Sequence, residues 1–294
     1  PGSQNLKLTR KYYTEDMPDG RVKHIVQNIT DPDIVPYIPD GIGNSTDRQR
    51  IPAVLIIPGG AFRRLVYNFE GEDVAKWLNS MGIAAFVLEC RLPSDEHDNA
   101  EDVPLIDAMR AMRVIRGRAQ EFGIDEAKIG VMGFSAGGFM AALLSTAYES
   151  DVYADYKYKD EYDKLSARPD FAVCSYPVIS IDDCIEAGKR YMSEEQVLER
   201  ISDSKAKILH KYNPDKLVRP DMPPVFICET DDDRTTLSEN SVGFYMAARK
   251  AGVSAELHIF RTGGHGYGCG DDFAQTGEWK VLFTKWIKSI GIIS

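Results

Sequence analysis

A chain of 294 residues, 43% hydrophobic and 10% aromatic, is long enough for one large α/β domain or two small ones and can fill a substantial core. Its formal net charge of −10 excludes nucleic acid and anionic membrane surfaces as natural partners, since both would repel it, and suits a neutral substrate. No apolar stretch approaches the roughly 20 residues of a membrane span and residues 1–20 are too polar for a signal peptide, so the expected compartment is cytoplasmic, or secreted if a leader once preceded Pro1-Gly2-Ser3.

Residues 11–38 read as extended segments with turns at Pro18-Asp19-Gly20 and Asp31-Pro32, which predicts antiparallel strands at one edge of a sheet; Gly41–Arg50 reads as a polar linker. From there, strand-length apolar runs alternate with helical patterns. The strands are expected at Val54–Ile57, Ala84–Leu88, Ile129–Met132, Phe171–Ser175, Val225–Ile227 and Ala255–Phe260. Helices are marked by Val74, Trp77 and Leu78; by Leu105, Met109, Met112 and Ile115; and by Phe139–Leu144. Another runs over Thr236–Ala251, opening on the capping box Thr236-Leu237-Ser238-Glu239 and stopping at Gly252, and Trp279, Phe283 and Trp286 mark the last. The alternation predicts an α/β fold with a mostly parallel central sheet and helices on both faces, taken as a single domain over 1–294. Two stretches interrupt it, near 148–169 and 181–222, the second with helical patches around Glu194–Ile201 and Lys205–Tyr212. The five cysteines lack paired C-x-x-C spacing and are read as free thiols, a Cys184–Cys269 pairing being the one bridge left open.

The chemistry concentrates where strands end. Ile129 to Met132 runs into Gly133-Phe134-Ser135-Ala136-Gly137, a sharp strand-to-helix turn that needs glycines on either side and presents the Ser135 hydroxyl at a helix N-terminus. A serine hydroxyl attacks only when a base takes its proton, and that base needs an acid to orient it. Among five histidines, His265 alone follows a strand directly in a glycine-rich loop, Gly263-Gly264-His265-Gly266-Tyr267-Gly268. The run Asp231-Asp232-Asp233 follows the strand at Val225, and spacing does not say which aspartate turns inward. Chain order is Ser, Asp, His. A third strand enters Pro58-Gly59-Gly60-Ala61-Phe62, where Gly60 or Ala61 N–H, together with Ala136 N–H, can face a developing oxyanion. Phe62, Arg63 and Tyr267 beside these groups are the candidate substrate contacts; Arg64 also follows the loop. Neither a P-loop nor a dinucleotide fingerprint is present, and no cofactor or metal is implied.

These residues resemble the α/β-hydrolase esterases of the acetyl-xylan and feruloyl esterase-like group, within the esterase/lipase superfamily. The resemblance rests on Ile57-Pro58-Gly59-Gly60-Ala61-Phe62, on Trp77–Arg91, on the elbow Gly133–Gly138, on Met222-Pro223-Pro224-Val225-Phe226 and on Gly263–Gly268, and spans roughly residues 51–290. It implies an α/β-hydrolase fold and a serine carboxylesterase acting on small acyl esters, acetyl foremost, of carbohydrates such as xylo-oligosaccharides, through Ser135, His265 and an acid. Laid on Cys228-Glu229-Thr230-Asp231-Asp232, the group's pattern selects Asp232 as that acid. The chain departs from the group at Ala61, where a third glycine is common, at Phe139, and at Cys228, where a histidine is usual. The alternatives are a serine peptidase of the prolyl-oligopeptidase type, for which about 50 residues before Val54 leave no room for a filtering domain, and a non-catalytic carbohydrate-binding relative. The expected partner is a small-molecule or oligosaccharide ester; a homo-oligomer is compatible with the sequence, which does not fix the state.

Overall fold

The computed structural model describes residues 8–41, 50–95, 97–155, 159–193, 195–197, 204–270 and 275–294. Two strands, β1 (Lys11–Asp16) and β2 (Val22–Gln27), form a hairpin, and β3 (Asp33–Tyr37) leads toward β4 (Ile51–Ile57). After the short β5 (Leu65–Val66) come β6 (Ala84–Glu89), β7 (Ile124–Phe134), β8 (Ala172–Ser175), β9 (Val225–Thr230) and β10 (Ala255–Phe260). Seven of them make one sheet in the order β10-β9-β8-β7-β4-β6-β3, parallel throughout except for β3, which runs antiparallel along β6. The strand runs expected from Val54 onward all lie within this sheet. This is the α/β-hydrolase architecture that the resemblance implies.

Apolar residues on successive positions of β4 divide between the two faces, as the period of a strand requires. Val54 and Ile56 belong to one buried cluster with Val74 and Leu78 of α1 (Asp73–Ser80) and the aromatic residues of the C-terminal helix (Glu278–Ser289). Leu55 and Ile57 belong to the other, with Leu105, Met109 and Met112 of α2 (Val103–Gly117) and Phe139 and Leu143 of the helix after Ser135. Both faces are therefore covered, and β4, β6, β8 and β9 read as continuous buried runs rather than alternating ones. Trp77, Trp279, Phe283 and Trp286 pack as edge-to-face or tilted aromatic pairs in the first cluster, so the stripe at 279, 283 and 286 is core.

Several expectations need correction. Of the strands at 11–38 only β3 edges the main sheet; β2 pairs with β1 on one side and β5 on the other in a separate three-stranded antiparallel sheet, because β5, just beyond the Gly59–Phe62 loop, offers β2 a partner. The helix expected from Thr236 starts at Ser238 and has no side-chain cap: the Thr236 hydroxyl bonds to Asp233 instead of to its own helix. A helix at Ile181–Tyr191, capped by Ser180 on the N–H groups of Asp182 and Asp183, lies where the sequence reading placed only an interruption. Ser204–Lys211 is helical, in line with the patch at Lys205–Tyr212, whereas most of the Glu194–Ile201 patch, the linker residues 42–49 and the Cys184 side chain lie outside what is described. Cys90, Cys174 and Cys228 are buried free thiols.

The loop after β6 anchors the ground beneath the site. Ser94 N–H donates to the carbonyl of Phe62, and the buried Asp95 carboxylate accepts from Ile29 N–H at 3.1 Å. Burial pushes the Asp95 carboxyl up to about 6, against roughly 3.9 for an unfolded aspartate. A group with a raised folded value favours the native state most below its unfolded value and loses that contribution as pH rises through its folded one. Asp95→Asn, which keeps an acceptor for Ile29 N–H, is therefore expected to raise stability at pH 8 by about 1–2 kcal/mol and to change it little at pH 4; urea unfolding at the two pH values measures this.

Candidate active site

Three loops leave the carboxyl ends of β7, β9 and β10 and meet over the sheet. Ser135 stands at the junction of β7 and the helix Ala136–Ala147 with φ 54° and ψ −118°, a conformation that a residue with a side chain avoids unless its surroundings impose it. Here they do. Ser135 N–H donates to Ser175 O on β8, and Ser135 O accepts from Phe139 N–H and Val178 N–H. The flanking glycines make the turn possible: a Cβ at Gly133 would fall on the carbonyl of Gly137, and one at Gly137 on the carbonyl of Ile57. The helix thus begins against β4 with no side chain between them.

The His265 imidazole reaches the serine. Ser135 Oγ lies 2.8 Å from His265 Nε2, and His265 Nδ1 lies 2.6 Å from Asp233 Oδ2. An ionised carboxylate only accepts, so Nδ1 carries the proton and Nε2 is left to accept from the Ser135 hydroxyl. Asp233 is 2% exposed. Its Oδ1 accepts from Thr235 N–H at 2.7 Å and Thr236 N–H at 3.0 Å, and its Oδ2 also accepts from the Thr236 hydroxyl at 2.9 Å. Burial alone would raise this carboxyl, but the hydrogen bond and charge of His265 and the two backbone donors outweigh it and hold Asp233 below the usual carboxylate range. Behind it, Glu229 is also buried; desolvation and the Asp233 charge drive its carboxyl well above the ordinary value.

The acid beside His265 is therefore Asp233, and the selection of Asp232 is corrected. Asp232 is exposed and its Oδ1 accepts from the N–H groups of Gly263 and Gly264, so it braces the histidine loop from outside. The reason is a turn: Asp233 N–H bonds back to Thr230 O, which swings the third aspartate inward after β9. A signal was present in the sequence. Asp233-Arg234-Thr235-Thr236 has the form of an aspartate folding its carboxylate onto backbone N–H groups two and three residues on, a local preference that the neighbouring acidic run masked.

The loop after β4 supplies the facing backbone. Gly60, Ala61 and Phe62 all have positive φ, 138°, 58° and 59°, and the loop is closed by Val66 N–H on Gly59 O and Arg63 N–H on Gly60 O. Ala61 is thus left-handed where a glycine would be unstrained, which is the physical content of the third glycine common in the resembling group. Among the described residues no hydrogen bond engages Ala61 N–H or Ala136 N–H, and both remain available to an anion; Gly59 N–H is taken by the Glu70 carboxylate. Of the candidate substrate contacts, Phe62 is 5% exposed and meets Phe139 edge-on at 5.5 Å, lining a small apolar cavity beside the Gly59 and Ala136 backbone. Arg63 is exposed, and Arg64 reaches across to Glu15 of β1 at 2.5 Å. Tyr267 is corrected from substrate contact to core: it is 4% exposed, its ring stacks edge-on against Tyr176 at 4.5 Å, and its hydroxyl accepts from Ser175 Oγ. The turns on either side of it drive the ring downward while His265 stays above. Trp279 Nε1–H holds the loop by donating to Gly268 O. The sequence reading missed Glu70 and Tyr176, neither of which lies in a recognisable motif. No group of three metal-ligating side chains occurs among the described residues.

A seven-stranded, mostly parallel sheet carrying a serine, an aspartate and a histidine in that order at strand ends defines an α/β hydrolase. The BD-FAE family model matches residues 42–247, and the chain belongs to that family. It is 31% identical over 240 residues to an acetylxylan esterase of Xylanibacter ruminicola, covering 81% of this chain and 45% of that protein. It is also 31% identical over 227 residues to an endo-1,4-beta-xylanase B of Butyrivibrio fibrisolvens, covering 77% of this chain and 34% of that protein. The chain thus spans less than half the length of these curated relatives. Among solved structures, an acetyl ester-xyloside bifunctional hydrolase from Caldicellulosiruptor lactoaceticus superposes with TM-score 0.71 at 37% identity, covering 90% of this chain and 89% of that one. The carboxylesterase Cest-2923 from Lactobacillus plantarum WCFS1, at 20% identity, TM-score 0.72 and 98% and 99% coverage, shares the fold.

The two aspartates can be told apart kinetically. Asp233→Asn is expected to lower kcat on an activated ester by about 10³–10⁴-fold, the scale found when the orienting acid of such an arrangement is neutralised, while Asp232→Asn, which keeps the acceptor for Gly263 and Gly264, lowers it by less than about tenfold. Steady-state hydrolysis of nitrophenyl acetate by both variants decides between them.

Proposed function

We propose that this chain is a serine carboxylesterase that hydrolyses small acyl esters, acetyl above all, carried on carbohydrates such as xylo-oligosaccharides. The observation that carries the reading is the continuous line from Ser135 Oγ through the His265 ring to the buried Asp233, 2.8 Å on one side and 2.6 Å on the other. Ser135 Oγ attacks the ester carbonyl carbon while its proton passes to His265 Nε2. Negative charge gathers on the carbonyl oxygen, which Ala136 N–H and Ala61 or Gly60 N–H receive, and Asp233 steadies the imidazolium. Collapse expels the alcohol, protonated by His265, and leaves an acyl group on Ser135; water, deprotonated by the same imidazole, then releases the acid.

The size of the acyl group finds support beside the serine. The cavity between the Gly59 and Ala136 backbones, closed by Phe62, Cys90, Leu92, Pro104 and Met140, has a volume of about 10 Å³, room for one water-sized group and so for the methyl of an acetyl ester. It has no charged floor that would favour a polar acyl chain, though Arg64 stands at its rim. The carbohydrate part of the reading rests on the acetylxylan esterase and acetyl ester-xyloside hydrolase relatives and on a net charge that suits a neutral substrate.

Ser135→Ala is expected to abolish hydrolysis of nitrophenyl acetate and release of acetate from acetylated xylo-oligosaccharides, by several orders of magnitude, with circular dichroism unchanged, and to abolish labelling by a fluorophosphonate. Wild-type turnover in that variant excludes the mechanism. Met140→Ala, which deepens the cavity, is expected to raise kcat/KM for the butyrate ester relative to the acetate by about tenfold or more, the scale of one to two methylenes in an apolar pocket; an unchanged ratio places the acyl group elsewhere.

A further inference from the structure

Behind the catalytic groups lies a carboxylate that the mechanism above does not use. Glu70, in the helical turn Asn68–Glu72, is 4% exposed. Its Oε2 accepts from Gly59 N–H at 2.7 Å, at the root of the loop that faces the oxyanion, and its Oε1 accepts from the Tyr176 hydroxyl at 2.9 Å. Tyr176 in turn accepts from Gly268 N–H at 3.1 Å, in the loop that carries His265, and its ring meets the imidazole edge-on at 5.0 Å. Gly268 lies directly against the same helical turn, since a Cβ there would come within 2.6 Å of Phe69 O.

The order of protons in this chain is informative. The Gly268 N–H points at the Tyr176 oxygen, so the phenolic proton is free to point at Glu70, and Gly59 N–H points at the other carboxylate oxygen. Both oxygens accept, an arrangement that stabilises the ionised form of the carboxylate. Burial raises the Glu70 carboxyl above the ordinary range, opposed by the Tyr176 hydrogen bond, the charge of His265, the Gly59 hydrogen bond and, more weakly, Lys23; among the described residues no lysine or arginine lies within salt-bridge distance of it. A buried anion with no cation in salt-bridge range is unfavourable in the resting enzyme. The deficit lessens when Ser135 Oγ bonds to the acyl carbon and its proton moves to Nε2, because the imidazole then gains a positive charge. An interaction that strengthens only as the reaction proceeds lowers the barrier rather than tightening substrate binding.

Resting on the Ser135–His265–Asp233 reading, we propose that Glu70 is a positioning residue of the hydrolytic site: it ties the oxyanion loop to the histidine loop through Gly59 and Tyr176, and adds a second buried negative charge, besides Asp233, that favours the His265 imidazolium. The groups that face the imidazole are the Ser135 hydroxyl, Asp233 with the Thr236 hydroxyl, and the edge-on ring of Tyr176; Glu229 lies behind Asp233, and burial holds Glu229 and the Tyr176 phenol toward their neutral forms. Among the described residues, Glu70 is the carboxylate joined to this set from the oxyanion side.

Glu70→Gln tests this: the amide oxygen keeps an acceptor for Gly59, the amide NH2 replaces the acceptor facing the Tyr176 oxygen by a donor, and the charge is lost. On nitrophenyl acetate it is expected to lower kcat by about 10–100-fold with KM within about threefold, and to move the acid limb of kcat/KM toward lower pH by roughly 0.5–1 unit, as removal of a nearby negative charge makes the imidazole a weaker base. A fall in kcat with the limb unmoved overturns the charge assignment; wild-type kcat overturns the proposal altogether. If the Gln variant does not fold, Tyr176→Phe, which removes one hydroxyl and preserves the ring, carries the test: a tenfold or greater loss in kcat at constant KM supports the link between the loops, and unchanged kcat overturns it. Failure of the underlying reading is distinct, because Ser135→Ala would then keep its activity whatever Glu70 does.

Discussion

The site depends on one close approach of backbone to backbone. The helix Ala136–Ala147 starts with Gly137 against the carbonyl of Ile57 in β4, and that contact forces Ser135 into a left-handed conformation on the carboxyl edge of the sheet. Such a conformation costs about 1–3 kcal/mol and persists only where neighbours over-determine it. Three backbone hydrogen bonds at Ser135, with Ser175 of β8, with Phe139 of its own helix and with Val178 beyond β8, do so. The same closeness brings Ala136 N–H opposite the Gly60–Phe62 loop, whose own backbone is left-handed for three residues.

Charge is the second organising element. Around a single imidazole the fold buries Asp233, Glu229 and Glu70, and it treats each differently. Asp233 is supplied with backbone N–H donors and the histidine and is held ionised; Glu229, with the Asp233 charge nearby, is driven toward its neutral form. Glu70 receives donors on both oxygens and no described cation. Carboxylates of similar intrinsic acidity are thereby shifted in opposite directions by environment alone, Asp233 downward and Glu229 and Glu70 upward, in the way that sites separate the roles of like groups. Asp232, by contrast, stays in solvent and serves the backbone of the histidine loop.

The sheet and its helices were legible because their signals are local and repetitive. Every strand expected from Val54 onward lies in the sheet, and the helices marked by Leu105 to Ile115 and by Trp279 to Trp286 bury those very side chains. Ser135, His265, Gly60, Ala61 and Ala136 could be named because glycines announce them at strand ends. What misled was local resemblance without a third dimension: Thr236-Leu237-Ser238-Glu239 looks like a capping box, yet the threonine hydroxyl finds a stronger acceptor in the Asp233 carboxylate. The hairpin at 11–27 reads as sheet edge, but which edge depends on β5, a two-residue strand too short to show any period.

By itself the amino-acid sequence determined the alternation of strand and helix, the strand-to-helix corner at Ser135 and the histidine loop, since hydrophobic period and glycine placement act over a few residues. Only the tertiary structure decided that Asp233 rather than Asp232 faces the imidazole, that Tyr267 points into the core, and that Glu70 and Tyr176 join the two loops. Those outcomes follow from hydrogen bonds between residues separated by 32 to 106 positions, and the competition among neighbouring acceptors is settled by which of them is buried when the strands come together.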